Sequence, residues 1–299
     1  MGKIAFVFSG QGDQYPGMGK ELFESSFAAK EVFELCESIR NGTVKQCFDG
    51  TESELKETAN TQPCLFAFEL AAFAALKEKG ITPDMTAGFS LGEVSAATAA
   101  GLFSVSEGFR LVCERGRLMQ KEAEKHDTFM AAVVKLSDSQ VEKICEKYGD
   151  IFPVNYNCPG QITVSGASLN SSEFFADVKA EGGRAIPLKV NGAFHSPYMN
   201  EAASAFGEVL SRADIKAPVF PIYSNVTAEV YGETPKELLS SQICSPVRWE
   251  KIIRNMIACG ADTFVEIGPG KTLTNMIKKT DGTVRAVTFT EYLEEADIC

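Results

Sequence analysis

Basic residues are scarce in this sequence: 29 Lys and Arg stand against 40 Asp and Glu, a formal net charge of −11. A field of that sign repels nucleic acid and anionic lipid, so a polyanionic partner would need a local basic patch. Long apolar runs are missing as well. No segment approaches the roughly 18 residues that a membrane span needs, and Lys3-Ile4-Ala5-Phe6-Val7-Phe8 is too short for the core of a signal peptide. These absences predict a protein that binds neither nucleic acid nor membrane and works in the cytoplasm. The nine cysteines include no C-x-x-C pair, and a chain this long needs no disulfide staples, so reduced thiols are expected. Histidine is rarer still. His126 and His195 are the only two, neither has a carboxylate or cysteine at a recurring ligand interval, and no bound metal is expected.

What is present is enough for a large core: 299 residues, 44% of them hydrophobic and 23% charged. Short apolar runs (Ile4 to Phe8, Met85 to Phe89) alternate with longer amphipathic ones (Met18 to Cys36, Pro63 to Lys79). Near-continuous apolar strands separated by helices predict an α/β fold with a mainly parallel sheet covered on both faces, and ligands at the carboxyl ends of its strands. Between residues 128 and 190 the order becomes βαββαβ, with Asn157-Cys158-Pro159-Gly160 turning between the middle strands. That predicts a ferredoxin-like small subdomain (128–190) inserted in a large one (1–127 and 191–299). After it, helices are expected over His195 to Arg212, Trp249 to Cys259 and Lys271 to Lys279, with strands over Val219 to Asn225 and Thr263 to Ile267.

Two nucleotide motifs fail. Gly10-Gln11-Gly12 lacks the third glycine of a dinucleotide fingerprint, because Tyr15 stands there, and Gly270-Lys271-Thr272 lacks the first glycine of a phosphate loop, because Val265 stands there. Gly88-Phe89-Ser90-Leu91-Gly92 matches G-x-S-x-G between a predicted strand and an Ala-rich helix, the setting in which a serine hydroxyl is presented on a tight turn. Such a serine needs a base. His126 lies in a charged stretch that reads as a solvated helix end, whereas His195 follows a strand and the flexible Gly192-Ala193 turn, where a strand end would deliver it to the catalytic edge. In an ordinary hydrolase of this class the histidine comes late in the chain; here 104 residues follow it, which points to a Ser-His pair on another architecture. On the helix containing Phe109, Val112, Gly116 and Met119, Arg115 borders the apolar face and could clamp a carboxylate, whereas Arg110 and Arg117 read as exposed.

Seven segments in order carry a resemblance: Phe8 to Gly12, Gly88 to Glu93, Arg115 to Met119, Asn157 to Gln161, Ala193 to Ser196, Gln242 with Pro246 to Trp249, and Glu266 to Gly270. Over nearly its whole length the chain resembles the malonyl-CoA:acyl-carrier-protein transacylases and the acyltransferase domains of polyketide synthases. The resemblance implies a hydrolase-like large subdomain. It also implies that Ser90 is the acylated nucleophile, His195 its base, and Gln11 and Leu91 the amide donors of the oxyanion hole. Arg115 matches the residue that pairs with the malonyl carboxylate, Gln242 the one whose carbonyl orients the histidine, and Asn157 falls in a motif at the cleft mouth. Phe194 resembles the choice of malonyl-selective members. Phe89 departs from the pattern, which usually has histidine there.

The activity so implied is malonyl transfer from malonyl-CoA, a substrate, to the phosphopantetheine thiol of an acyl carrier protein, with no permanently bound cofactor. An acidic carrier would need lysines and arginines to dock on, and Lys271, Lys278 and Lys279, or Arg184 and Lys189, could serve. Two other readings use the same residues: a serine thioesterase or esterase releasing acyl groups to water, and a catalytically impaired binding subunit, which Phe89 makes conceivable.

Overall fold

The apolar run near the amino terminus forms strand β1 (Lys3–Phe8), whose last four side chains are all buried. Alternation splits them between two cores: Phe6 and Phe8 join one cluster, Ala5 and Val7 the other. A strand with two apolar faces can only lie in a sheet covered on both sides. The computed structural model, which describes residues 2–190 and 192–298 (side chains to 295), supplies that sheet.

The remaining strands are β2 (Met85–Gly88), β3 (Thr128–Val134), β4 (Ile151–Cys158), β5 (Gln161–Ala167), β6 (Arg184–Pro187), β7 (Ile222–Tyr223), β8 (Ala261–Ile267) and β9 (Arg285–Thr288). Five of them form a wholly parallel sheet in the order β7-β2-β1-β8-β9. The helix Thr58–Glu78 packs on one face, buried on nearly every side. Helix Trp249–Ala258 packs on the other, through Trp249, Ile252, Ile253 and Met256. The four strands of the insert form a separate antiparallel sheet, β4-β5-β3-β6, with helices Asp138–Glu146 and Ser171–Ala180 between them and a core of its own around Val133, Ile162, Val164 and Phe174. The βαββαβ order and this strand arrangement are those of a split βαβ unit. It is tied to the large sheet's side by Val247, which exchanges backbone hydrogen bonds with Val154 and Tyr156 (2.8 and 2.9 Å).

Several expectations are corrected. The amphipathic run from Met18 is two helices, Lys20–Ser25 and Phe27–Ile39, because the Ser26 hydroxyl caps the second. The strand expected over Val219 to Asn225 shrinks to β7. The helix expected from His195 is a 3-10 turn, Pro197–Met199, opening into Asn200–Ser211. β6, a strand of the small sheet, ends at Pro187, so no strand end delivers His195; Asn191 lies outside the described residues. No helix among the described residues is long and apolar enough to cross a membrane.

Candidate active site

β2 ends at Gly88 and helix Leu91–Ala99 begins at Leu91, so Phe89 and Ser90 alone make the turn. Ser90 takes φ 55° and ψ −106°, a region costing a non-glycine residue about 1–3 kcal/mol. Its flanking glycines are steric necessities. A Cβ on Gly88 would stand 1.9 Å from the Gly92 carbonyl, and one on Gly92 would stand 2.3 Å from the Phe8 carbonyl oxygen. The strained serine is held from both sides: its amide donates to Asn225 Oδ1 (2.8 Å) and its carbonyl accepts from Gln242 Nε2 (2.6 Å). Asn225 Nδ2 in turn donates to the Gly88 carbonyl (2.6 Å).

His195, buried and itself at φ 61°, brings Nε2 to 2.7 Å from Ser90 Oγ. Its Nδ1 lies 2.8 Å from the backbone carbonyl of Gln242. A carbonyl only accepts, so Nδ1 carries the proton and Nε2 is left to accept from the serine hydroxyl. The His195 amide donates to the Ile243 carbonyl (3.1 Å), so one short segment orients both backbone and ring. Burial, and then the nearby Arg115 cation, hold the imidazole down at about 4, so it is a neutral base at ordinary pH.

Arg115 reaches the same point from helix Val105–Ala123. Fully buried, it donates from Nη1 to Gln62 Oε1 (2.9 Å) and from Nη2 to Gln242 Oε1 (2.8 Å) and Ser90 Oγ (3.3 Å). Each of these partners is neutral, and Nε has none. Burial lowers the guanidinium to about 10, with Glu93 opposing; it stays cationic beside the Ser90 hydroxyl. Arg110 and Arg117 are exposed.

The amide N–H groups of Gln11 and Leu91, on the loop after β1 and at the first residue of the serine's helix, donate to no protein acceptor among the described residues. Gln11 and Phe89 line a cavity of about 270 Å³ shared with Asn157, Thr163 and Leu188 of the insert and Met276 of helix Thr272–Thr280. Asn157 is buried, donates to Thr163 Oγ1 (3.1 Å), and leaves Oδ1 unpartnered. Phe89 stacks edge-on against Trp249 (centroids 5.5 Å apart). Phe194 is buried in the main core directly ahead of His195.

These residues bring a hydroxyl, an imidazole and a guanidinium together around one oxygen, and the chain that carries them has relatives. A family model described as an acyl transferase domain matches residues 5–291. A malonyl CoA-acyl carrier protein transacylase of Bacillus subtilis (strain 168) is 41% identical over 300 residues, covering 97% of this chain and 94% of the relative. The chain belongs to the malonyl-CoA:acyl-carrier-protein transacylase family. The transacylase of a Synechocystis strain is 38% identical over 280 residues, 93% of this chain and 94% of that one. Of solved structures, a Clostridium perfringens transacylase matches with TM-score 0.94 and 35% identity over 99% of this chain and 98% of its own. A malonyl-transacylase in complex with a holo type II PKS acyl-carrier protein matches with TM-score 0.94 and 31% identity, covering 98% and 99%.

Within this transacylase framework four participants escaped the sequence reading. Asn225 and Glu93 lie beneath the turn: the Glu93 carboxylate accepts from the Asn225 amide (3.1 Å), the Tyr231 hydroxyl (2.6 Å) and Gln242 Nε2 (2.7 Å). Burial lifts Glu93 to about 7 against the pull of those donors and of Arg115. Gln62 seats Arg115 and also donates to Gln11 Oε1 (3.3 Å). Gln62, in the polar start of its helix beside Asn60 and Thr61, carried no signal, and neither did Glu93, Asn225 or Tyr231, since spacing does not say which way a polar side chain turns. His126 is exposed, 3.5 Å from Glu122 and edge-on to Tyr198. Among the described residues no group of three or more His, Cys, Asp or Glu could hold a metal ion.

Proposed function

We propose that the protein transfers a malonyl group from malonyl-CoA to the phosphopantetheine thiol of an acyl carrier protein through a malonyl ester on Ser90, in the cytoplasm and without a resident cofactor. The observation carrying this reading is the meeting at Ser90 Oγ of His195 Nε2 (2.7 Å) and the cationic Arg115 Nη2 (3.3 Å). A hydroxyl with a neutral imidazole beside it can be deprotonated as it attacks, and a fixed guanidinium selects an acyl group ending in a carboxylate.

In this reading His195 Nε2 takes the Ser90 proton as Oγ adds to the thioester carbonyl, and the oxyanion turns to the Gln11 and Leu91 amides. Collapse breaks the C–S bond, and His195 returns the proton to the departing CoA sulfur. The carrier thiol then attacks the ester by the same steps reversed, regenerating Ser90. Arg115 faces the malonyl carboxylate throughout, which would be costly to bury unpaired. The cleft runs between the large subdomain (1–127 and 191–299) and the small one (128–190), with Phe194 restricting space beside the acyl group and Asn157 at its mouth.

The test is incubation with malonyl-CoA, with and without holo acyl carrier protein. The expected product is malonyl-carrier with CoA released in equal amount. Free malonate formed at the same rate whether or not carrier is added would instead identify a thioesterase, and no turnover at all a binding subunit.

A further inference from the structure

Glu93, in the first turn of helix Leu91–Ala99, is a fully buried carboxyl beneath the nucleophile. Nothing in the chemistry above needs it. The bonds around it fix its form: Oε1 accepts from the Asn225 amide (3.1 Å) and the Tyr231 hydroxyl (2.6 Å), and Oε2 accepts from Gln242 Nε2 (2.7 Å). A peptide N–H and an amide NH2 can only donate, so this geometry calls for the acceptor-only carboxylate. Tyr231 is itself anchored, its amide donating to the Ile222 carbonyl of β7 (2.8 Å).

The Gln242 side chain can stand only one way round. Its Oε1 faces Arg115 Nη2 (2.8 Å), which has no lone pair to offer. Its Nε2 faces three acceptors: the Ser90 carbonyl (2.6 Å), Glu93 Oε2 (2.7 Å) and Asn225 Oδ1 (3.3 Å), the last already accepting from the Ser90 amide. The amide therefore lies between a buried guanidinium and a buried carboxylate, oxygen toward the cation and nitrogen toward the anion. The two charges act on each other through space: Arg115 draws Glu93 down and Glu93 holds Arg115 up, each against burial.

We propose that Glu93 is the counter-ion of Arg115, held one amide away by the Gln242 side chain so that the guanidinium is balanced and yet keeps donors for a substrate carboxylate. A buried cation with no anion near it is costly, and a carboxylate bonded directly to it would occupy the donors that an acyl carboxylate needs. An intervening amide avoids both. Arg115 Nε, buried and without a protein partner among the described residues, is a donor still free. Glu93 is thus a positioning residue that touches no substrate, and the Gln242 side chain is a specificity-determining spacer. This role is separate from that of the Gln242 main-chain carbonyl, which holds His195 Nδ1 (2.8 Å) whatever side chain stands there.

The inference rests on reading Arg115 as the receptor of the acyl carboxylate, and two measurements at pH 8 test it. The first is a stability cycle in urea with Glu93→Gln, Arg115→Met and the double variant. Glu93→Gln should lower the denaturation midpoint of the wild type, and lower that of Arg115→Met by less than half as much, because members of one hydrogen-bond network couple. The second is the burst of CoA released from malonyl-CoA and from acetyl-CoA, which needs no carrier. The exchange variant Glu93→Gln/Gln242→Glu keeps the composition and the carbonyl that orients His195, but sets the carboxylate directly on Arg115. Its ratio of malonyl to acetyl acylation should fall at least about tenfold, the weight of one charge-assisted bond. A merely structural role for Glu93 would slow both thioesters alike. Equal losses of midpoint with and without Arg115, or a wild-type ratio in the exchange variant, would each overturn the inference. Should the exchange variant not fold, the stability cycle decides it. Should Arg115→Met itself leave the ratio unchanged, the receptor reading falls, and the cycle still judges the counter-ion.

Discussion

The histidine of this site is oriented by a peptide carbonyl where a hydrolase triad uses a carboxylate. Without an anion beside it, only backbone hydrogen bonds support the imidazolium, and burial with the Arg115 cation outweighs them, depressing the ring to about 4. A base is competent above its own pKa, so kcat/KM for malonyl-CoA should stay flat from pH 7 down to about 5 and fall only near 4. A rate profile breaking near 6.5, where an unperturbed imidazole titrates, would show that the ring is more solvated than this geometry allows. Arg115 makes a second prediction. Arg115→Ala should lower kcat/KM for malonyl-CoA at least about tenfold more than for acetyl-CoA, since a charge-assisted bond contributes about 1.5–3 kcal/mol; parallel assays of the two thioesters measure the ratio, and an equal loss would remove Arg115 as the carboxylate receptor. That Ser90, His195 and Arg115 meet was legible because the chain has only two histidines, Ser90 sits in G-x-S-x-G and Arg115 borders the apolar face of its helix. Gln242 was legible only through resemblance, since its role passes through a main-chain oxygen that any residue could supply.

At the scale of elements, the strand-to-helix turn was readable and its scaffold was not. G-x-S-x-G is a local steric rule, met here by glycines whose Cβ atoms would collide with the Gly92 and Phe8 carbonyls. Gly92→Ala should therefore lower stability by about 1–3 kcal/mol, as overpacking does, and abolish acylation; a variant with unchanged denaturation midpoint and rate would mean the turn is looser than it looks. The clamp beneath it joins residues 135 positions apart, Asn225 to Ser90, a distance at which pattern carries no information. Asn225→Ala should slow acylation by malonyl and acetyl alike, about 10–100-fold, leaving their ratio unchanged, which acylation rates with the two thioesters check. Elsewhere the errors have local causes. Ser26 caps a new helix inside one amphipathic run, and β7 keeps only two residues because the Val219 and Ser224 amides donate to Ala100 and Glu229 instead of to β2.

The whole molecule is acidic, and an acidic carrier must find the exceptions. Lys271, Lys278 and Lys279 are exposed on and before helix Thr272–Thr280, and Arg184 and Lys189 are exposed on and after β6. Met276 and Leu188, from these two segments, line one cavity, so the basic residues flank the cleft that a phosphopantetheine arm would enter. Reversing the charge at Lys278 and Lys279 should raise the KM for carrier and flatten its salt dependence while leaving acylation by malonyl-CoA alone, because rim charges act on encounter. Steady-state kinetics at several salt concentrations would show this, and an unchanged KM would move docking to another face. The parallel sheet and the inserted βαββαβ unit were both legible from the rhythm of apolar runs. How the two subdomains face each other was not, because Val247 and β4 meet through main-chain bonds without a sequence signature.

Intact-protein mass measurement tests the account most directly. After brief exposure to malonyl-CoA the wild type should gain a single malonyl mass that a chase with holo carrier removes and transfers, while Ser90→Ala gains none. A malonyl adduct of equal yield in Ser90→Ala, or a wild-type adduct lost to water and never found on carrier, would contradict it.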